Sequence, residues 1–271
     1  MLQAGLNRRS FLSWVPALAG AGLISTRAHA AAAQAAPGGG LPDVFPRLDP
    51  QVVRAFVGVC HSNLDEARRL VERQPSLARA SWDWGFGDWE TGLGAAAHVG
   101  RREIAQLVLA HGARPTIFSA AMLGQLDVVR AFVAANPGIQ GTLGPHAITL
   151  LAHARAGGPD AAAVVAYLEG AGGADVRPAT QPLAPADRDA IVGRYTFGPG
   201  PREYFNVNVR NDRPEIERPE STRGFLFHTG DLVFFPSGVP SVKIAFAREG
   251  ARVTRLTIAD PDVFVTATRE P

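Results

Sequence analysis

The 271-residue chain has a single cysteine, Cys60, a single lysine, Lys243, and two methionines. One thiol forbids an internal disulfide and any multi-cysteine metal or iron–sulfur site. One lysine among 27 basic residues, the rest arginine, is a skew that no fold demands and that reads as base-composition bias in a GC-rich gene. Catalytic spacings are missing as well: there is no H-E-x-x-H, G-x-S-x-G, S-x-x-K, P-loop or G-x-G-x-x-G. A scattered triad needs no such motif, so this removes recognisable enzyme classes rather than catalysis as such. Strong charge of either sign is also lacking. The formal net charge is +2, but the first thirty residues hold Arg8, Arg9 and Arg27 and no acid. Without those three, 24 basic groups face 25 acidic ones, a net of −1. That balance gives no general electrostatic case for nucleic acid or acidic lipid. What is present, 46% hydrophobic and 19% charged residues over about two domain lengths, is the composition of a soluble globular chain and excludes collagen, coiled coil and disorder.

Residues 7–13 read NRRSFLS, followed by an apolar run from Phe11 to Ile24 and the small-residue triplet Ala28-His29-Ala30. This is the basic, apolar and A-x-A layout of an export signal over residues 1–30. The run is too short, and too interrupted by Pro16 and glycines, to span a hydrocarbon layer of about 30 Å. The pair Arg8-Arg9 with Phe11 and Leu12 resembles a twin-arginine signal, which implies a protein folded before export to the periplasm or beyond. A general secretory signal with two chance arginines is the alternative. No cysteine lies near the cleavage site, so no stable membrane anchor is expected after signal removal. Residues 31–46, rich in Ala, Gly and Pro, read as a flexible leader.

Self-comparison of residues 47–177 aligns four segments. They are Phe56 to Pro75, Thr91 to Pro115, Ile117 to Pro137 and Ile148 to Asp175. In each, a first helix with small residues (Cys60, Ala96 and Ala97, Ala120 and Ala121, Ala154) precedes a turn at Asn63, Gly100, Gly124 or Gly157. Second helices then place Leu70 and Val71, Ile104, Leu107 and Val108, or Val128, Phe132 and Val133 on one face. Cys60 accordingly reads as a small core residue. The segment TGLGAAAHVGRREIAQLVLAHGARP resembles the ankyrin repeat pattern at most signature positions. That resemblance implies a stack of helix pairs that binds a protein partner with its fingers and concave face. The turn intervals of 37, 24 and 33 residues depart from it, since only the last has the ankyrin period.

The longest interval contains SWDWGFGDWE, with three of the four tryptophans. In an extended strand Trp82, Trp84 and Phe86 share a face, and Gly85 and Gly87 permit a tight reversal. Aromatic clusters of this kind are common interface hot spots. The candidate partner-binding residues are therefore Trp82, Trp84, Phe86, Trp89, Asp83, Asp88 and His98. Alternatively, the rings fold back over the shorter repeats. His61 and His98 occupy equivalent positions in successive units, but helices about 8–10 Å apart are expected to keep them from sharing a metal. No third ligand is evident, so no metal ligand, catalytic residue or cofactor is assigned. His146 and His153 are expected to bond backbone at the loop bases.

Pro178, Pro182 and Pro185 mark a linker over residues 178–187. Beyond it, seven short alternating runs within residues 188–271 read as strands: IVGRYTF, YFNVNV, GFLFHT, LVFFPS, VKIAFARE, RVTRLTI and VFVTATRE. Their order weakly resembles the accessory all-β domain of serine β-lactamase-like hydrolases, which implies a fold and carries no activity. The expected fold class is α + β multidomain, an α-helical ankyrin-type solenoid followed by a small antiparallel β-barrel or half-barrel. The expected function is that of an exported, non-enzymatic protein that binds a protein partner of unspecified identity. One alternative is a small-molecule or lipid-like ligand inside the β domain. The other is a hydrolase or metal-dependent enzyme, which requires His98, His111, His146 or His153 to converge with Asp127 or another carboxylate.

Overall fold

The computed structural model describes Val44, residues 46–219 and residues 222–271. The expected export signal over 1–30, and nearly all of the leader over 31–46, lie outside the described residues. No helix of the described residues is long and apolar enough to cross a membrane.

Five helices, those capped by Asp49, Asn63, Thr91, Thr116 and Thr149, begin where the sequence supplies a side-chain acceptor for an orphan backbone N–H. Asp49 caps α1 (Pro50–Val59) through Gln51 N, and Asn63 caps α2 (Leu64–Arg73) through Glu66 N. A hairpin of β1 (Ser81–Asp83) and β2 (Trp89–Thr91), with Trp82 opposite Glu90, leads into α3 (Gly92–His98), capped by Thr91. Then come α4 (Arg102–Ala110), α5 (Ile117–Met122) with a Thr116–Ser119 capping box, and α6 (Leu126–Ala135). Thr149 caps α7 (Leu150–Ala156), which precedes α8 (Ala162–Ala171). Helix α3 packs against α1, α5 and α7, which places its last residue, His98, at the centre of the helical half.

An ankyrin-type solenoid, the array expected from the repeats, is not what these residues build. The helices are short, six to ten residues, and are scattered among 3₁₀ turns at Pro75–Arg79, Ile139–Gly141, Pro145–Ala147 and Gly158–Ala161. Among the described residues of this half, β1–β2 is the only strand hairpin. The buried side chains form two clusters, one around α1 to α4 and one around α5 to α8, instead of one continuous stripe. The physical reason lies in the irregular intervals: 24 residues between Gly100 and Gly124 leave no length for a hairpin between successive helix pairs.

The C-terminal half is a fully closed antiparallel barrel, one of the two forms expected there, with eight strands where the sequence reads as seven. After α9 (Pro185–Ala190), which occupies the end of the expected linker, come β3 (Gly193–Thr196), β4 (Tyr204–Arg210), β5 (Arg213–Arg218) and β6 (Thr222–Gly230). They are followed by β7 (Val233–Pro236), β8 (Lys243–Glu249), β9 (Arg252–Ala259) and β10 (Val263–Arg269). All neighbours are antiparallel, and β10 pairs with β3 to close the ring. The strand that sequence reasoning missed is β5. Asp212-Arg213-Pro214 looks like a reversal, but the turn is Asn211-Asp212, both at positive φ, which joins Val209 to Pro214 across the hairpin. Eight strands leave an interior just wide enough for side chains. Tyr195, Val207, Ile216, Phe234, Ile244, Leu256 and Ile258 fill it as one buried cluster, with the Tyr195 hydroxyl donating to Ile191 O at 2.7 Å.

Candidate metal centre

The hairpin tip is tied by Asp83, whose Oδ1 accepts the N–H groups of Gly85 and Gly87. This reversal sends β2 back beneath α1 and α3 and buries Glu90 completely. Trp84 Nε1 donates to Glu90 Oε2 at 2.8 Å. A fully buried carboxylate is costly unless positive charge and hydrogen bonds meet it. Three imidazoles do so from three separate elements.

His61 sits in the turn after α1, and its Nδ1 lies 3.2 Å from Val57 O and 3.0 Å from Gly58 O. Carbonyls only accept, so Nδ1 carries the proton and a neutral ring presents the bare lone pair of Nε2. That atom is 3.4 Å from Glu90 Oε2. His98, at the end of α3, places Nε2 3.0 Å from Glu90 Oε1. His146 lies in the 3₁₀ turn Pro145–Ala147 with φ +59, a left-handed conformation rare for a non-glycine residue. Asp88 holds it there: Oδ1 accepts the His146 backbone N–H at 2.9 Å and Oδ2 accepts Nδ1–H at 2.6 Å. This leaves His146 Nε2 facing Glu90 Oε1 at 3.3 Å. One ligand atom from each of these four residues lies within 4.8 Å of all the others.

The arrangement is one that could hold a metal ion. His98 Nε2 and Glu90 Oε1 are buried and in contact, yet neither has a hydrogen-bond partner. A tetrahedral centre with bonds of 2.0–2.1 Å has ligand-to-ligand edges of about 3.4 Å, close to the 3.0 and 3.3 Å from Nε2 of His98 and His146 to Glu90 Oε1, while His61 Nε2 stands 3.4 Å from the other oxygen, Oε2. The outer contacts are those that orient metal-binding histidines, since His61 and His146 each give the remote N–H to a carbonyl or carboxylate. If the rings were instead three imidazolium ions, they would stand with centroids 4.9, 5.2 and 6.3 Å apart. Each such pair repels by about 3 kcal/mol at an effective dielectric of about 20.

The charges around the cluster shift its members strongly. Burial disfavours the Glu90 carboxylate, but contacts with His146 and His98 outweigh it and push its pKa down to about 2. Burial likewise opposes the His146 cation, and the hydrogen bond to Asp88 and the close Glu90 carboxylate overcome this, raising it to about 10. His153, whose Nδ1 donates to Thr149 O at 2.9 Å, is fully buried and is pushed down to about 4, chiefly by burial. Cys60 also lies buried nearby, its thiol raised to about 12 by burial and by the Glu90 charge.

No protein-family model matches this chain, and no curated protein does. The reading of the site therefore rests on its own residues. His61 and His146 side chains are 26% and 27% exposed, so solvent reaches one side of the cluster. Structural zinc sites are closed, whereas catalytic ones keep an accessible position. On that side lies a cavity of about 370 Å³ between the hairpin and the barrel, lined by Trp82, Trp84, Phe86, Asp88, His146, Arg54, Arg210, Arg223, Phe225 and Ser237 among others.

The expectation that His61 and His98 stand too far apart is corrected: their rings touch edge to face. Helix axes set the 8–10 Å spacing, and two imidazoles extending toward each other close it. The candidate partner-binding residues separate. Trp82 and Trp84 pack half-buried against the α1–α4 core, while Phe86, at φ +59, packs against the barrel core. Asp83 shapes the turn, Asp88 holds His146 and His98 joins the cluster. Trp89 is 61% exposed. His153 bonds backbone as expected, whereas His146 uses its side chain for Asp88. Glu90 and the role of His61 were missed. Their signal was the equivalent placement of His61 and His98 in adjacent helix pairs, beside a glutamate with no other reason to be buried.

Proposed function

We propose that the protein is a metal-dependent enzyme with a mononuclear centre formed by His61, His98, His146 and Glu90. The observation that carries this reading is the convergence of three imidazole nitrogens on a buried carboxylate, with two of the facing atoms unpartnered by hydrogen bonds. Three nitrogens and one oxygen suit zinc or a neighbouring divalent first-row ion. Such an ion polarises a ligand oxygen or lowers the pKa of a bound water. Asp88 and Trp84 position His146 and Glu90, and the adjoining cavity supplies room for a small molecule.

The test is metal content and zinc affinity of the full chain. The wild type is expected to bind one ion, and Glu90→Gln to bind it more than about a hundredfold more weakly, beyond the 10–100-fold typical of an outer-shell change. His111→Ala, whose ring bonds Leu107 O away from the cluster, is expected to match the wild type. Equal zinc affinity in wild type and Glu90→Gln overturns the reading.

A second reading, contact with a protein partner, is favoured by the exposure of Trp89. Export by the twin-arginine route is proposed on residues 7–30 alone. Arg8→Lys with Arg9→Lys is expected to retain the protein in the cytoplasm, and normal export of that variant refutes the route.

A further inference from the structure

We propose that the cavity beside His146 binds a small organic monoanion with an aromatic body, its negative group held by Arg54 and its ring packed against Trp82 and Trp84. Three guanidiniums line this cavity, those of Arg54, Arg210 and Arg223, against one carboxylate, Asp88. Asp88 is fully engaged with His146. Behind the cavity wall, Glu215 binds Arg210 at 2.7 Å, and Glu217 binds Arg223 at 2.7 Å. Those two pairs are neutral in sum.

Arg54, exposed on α1, has no hydrogen-bond or ion-pair partner among the described residues. Among the described residues it is therefore the one guanidinium of the cavity wall with no carboxylate beside it, which suits one carboxylate or similar anionic group. Arg210 and Arg223 are fixed in place by their glutamates, and a guanidinium has five N–H donors in a planar fork. Arg210 spends Nε and Nη2 on Glu215 and keeps Nη1. A preorganised fork of this kind recognises a planar oxyanion at little entropic cost.

The remaining walls are aromatic. The indoles of Trp82 and Trp84 favour an apolar, flat ligand, whereas the Phe225 ring is already covered by the guanidiniums of Arg210 and Arg213 at 4.5 and 4.4 Å; about 370 Å³ lies within the usual range for small-molecule sites. The inference deepens the metal reading and rests on it for what the ligand would meet next to His146. The recognition of the anion is a property of the cavity wall alone.

Calorimetric titration of the full chain with benzoate, and with benzyl alcohol as the neutral analogue, tests the proposal. Benzoate is expected to bind, benzyl alcohol to bind at least tenfold more weakly, and Arg54→Gln to lose about tenfold or more in benzoate affinity, the scale of a charge-assisted hydrogen bond. Zinc content of Arg54→Gln is expected to equal that of the wild type. Absence of benzoate binding, equal affinity for the two probes, or wild-type benzoate affinity in Arg54→Gln overturns the anion site. The two readings fail separately. If Glu90→Gln keeps wild-type zinc affinity while the Arg54 effect on benzoate persists, the anion site stands and the metal centre falls.

Discussion

Of the six polar or charged residues buried among the described residues, five lie in the helical half (Asp88, Glu90, Ser119, Thr149 and His153) and one, Glu215, in the barrel. Glu215 is no exception to an apolar barrel core, because it lies on the wall where Arg210 bonds it, while the neighbouring Ile216 fills the interior. The barrel thus buries mainly hydrocarbon, its one interior hydroxyl of note, that of Tyr195, being bonded to Ile191 O, and gains about 1.5–3 kcal/mol for each large side chain. The helical half gives core positions to charge. Burying a carboxylate such as Glu90 costs several kcal/mol before its partners are counted. Ser119 and Thr149 serve in helix caps and His153 is neutral, so the charge buried there is that of Asp88 and Glu90, and buried charge of this kind marks a candidate site. The barrel's contribution is support: Phe86 from the hairpin packs against its core, and its Gly238 turn lies directly on Asp88.

The strongest way to break this division is to damage the barrel core and watch the cluster. Leu256 is fully buried on β9. Leu256→Ala is expected to destabilise the protein by about 2–5 kcal/mol, the range for truncating a buried leucine, as read by urea unfolding. Zinc affinity of the folded fraction is expected to stay within about twofold of the wild type, since distant sites act independently. A parallel collapse of zinc affinity would show that the barrel determines the site's geometry rather than supporting it.

The second prediction sharpens the contrast through acid. His153 is neutral in the folded state, with its pKa pushed down to about 4 by burial, against about 6.5 for a free imidazole. The unfolded chain therefore binds a proton between those values that the folded chain does not. The stability due to the neutral ring is complete above about pH 6.5, is lost as pH falls toward 4, and changes no further below. The full loss is about 3 kcal/mol. Measured in chelator, so that metal binding does not contribute, wild type is expected to lose that increment between pH 7 and 4.5 relative to His153→Leu. Identical pH slopes for the two proteins count against a neutral His153.

These regions were unequally legible in sequence. The barrel strands show as alternating runs because each has one face on an apolar core, so the pattern of Val253, Leu256 and Ile258 survives in the sequence. Only β5 was hidden, since Pro214 and the outward Glu215 and Glu217 surround its one large core residue, Ile216. Helix pairs were legible from their turn residues, small residues and apolar stripes, but the regular array was not there to be found. Local pattern reports which face of a helix is buried and says nothing of whether successive pairs keep one spacing. The metal cluster was the least legible. Intervals of 29, 8 and 48 residues separate His61, Glu90, His98 and His146, so no motif joins them. They meet because a hairpin, two helix ends and a strained turn converge, and each is set by tertiary packing.

The smallest expected effect tests the point where the two halves touch. Gly238, in the turn between β7 and β8, has φ +87, and a Cβ there would stand 2.2 Å from Asp88 Oδ2. Gly238→Ala therefore strains its own backbone and displaces the carboxylate that fixes the proton and the orientation of His146. The expected result is a zinc affinity about 10–100-fold below wild type, the usual cost of losing an outer-shell partner. Asp88→Asn is expected to fall in the same range, because it keeps the shape and weakens the hold on Nδ1–H. If both act through the same contact, the double variant loses little more than either alone, as expected for coupled neighbours. Additive losses would mean that Gly238 acts elsewhere, through the barrel turn itself. An unaltered zinc affinity in Gly238→Ala, with only stability reduced, would make the barrel a cover over the site and leave the geometry of His146 to the helical half alone.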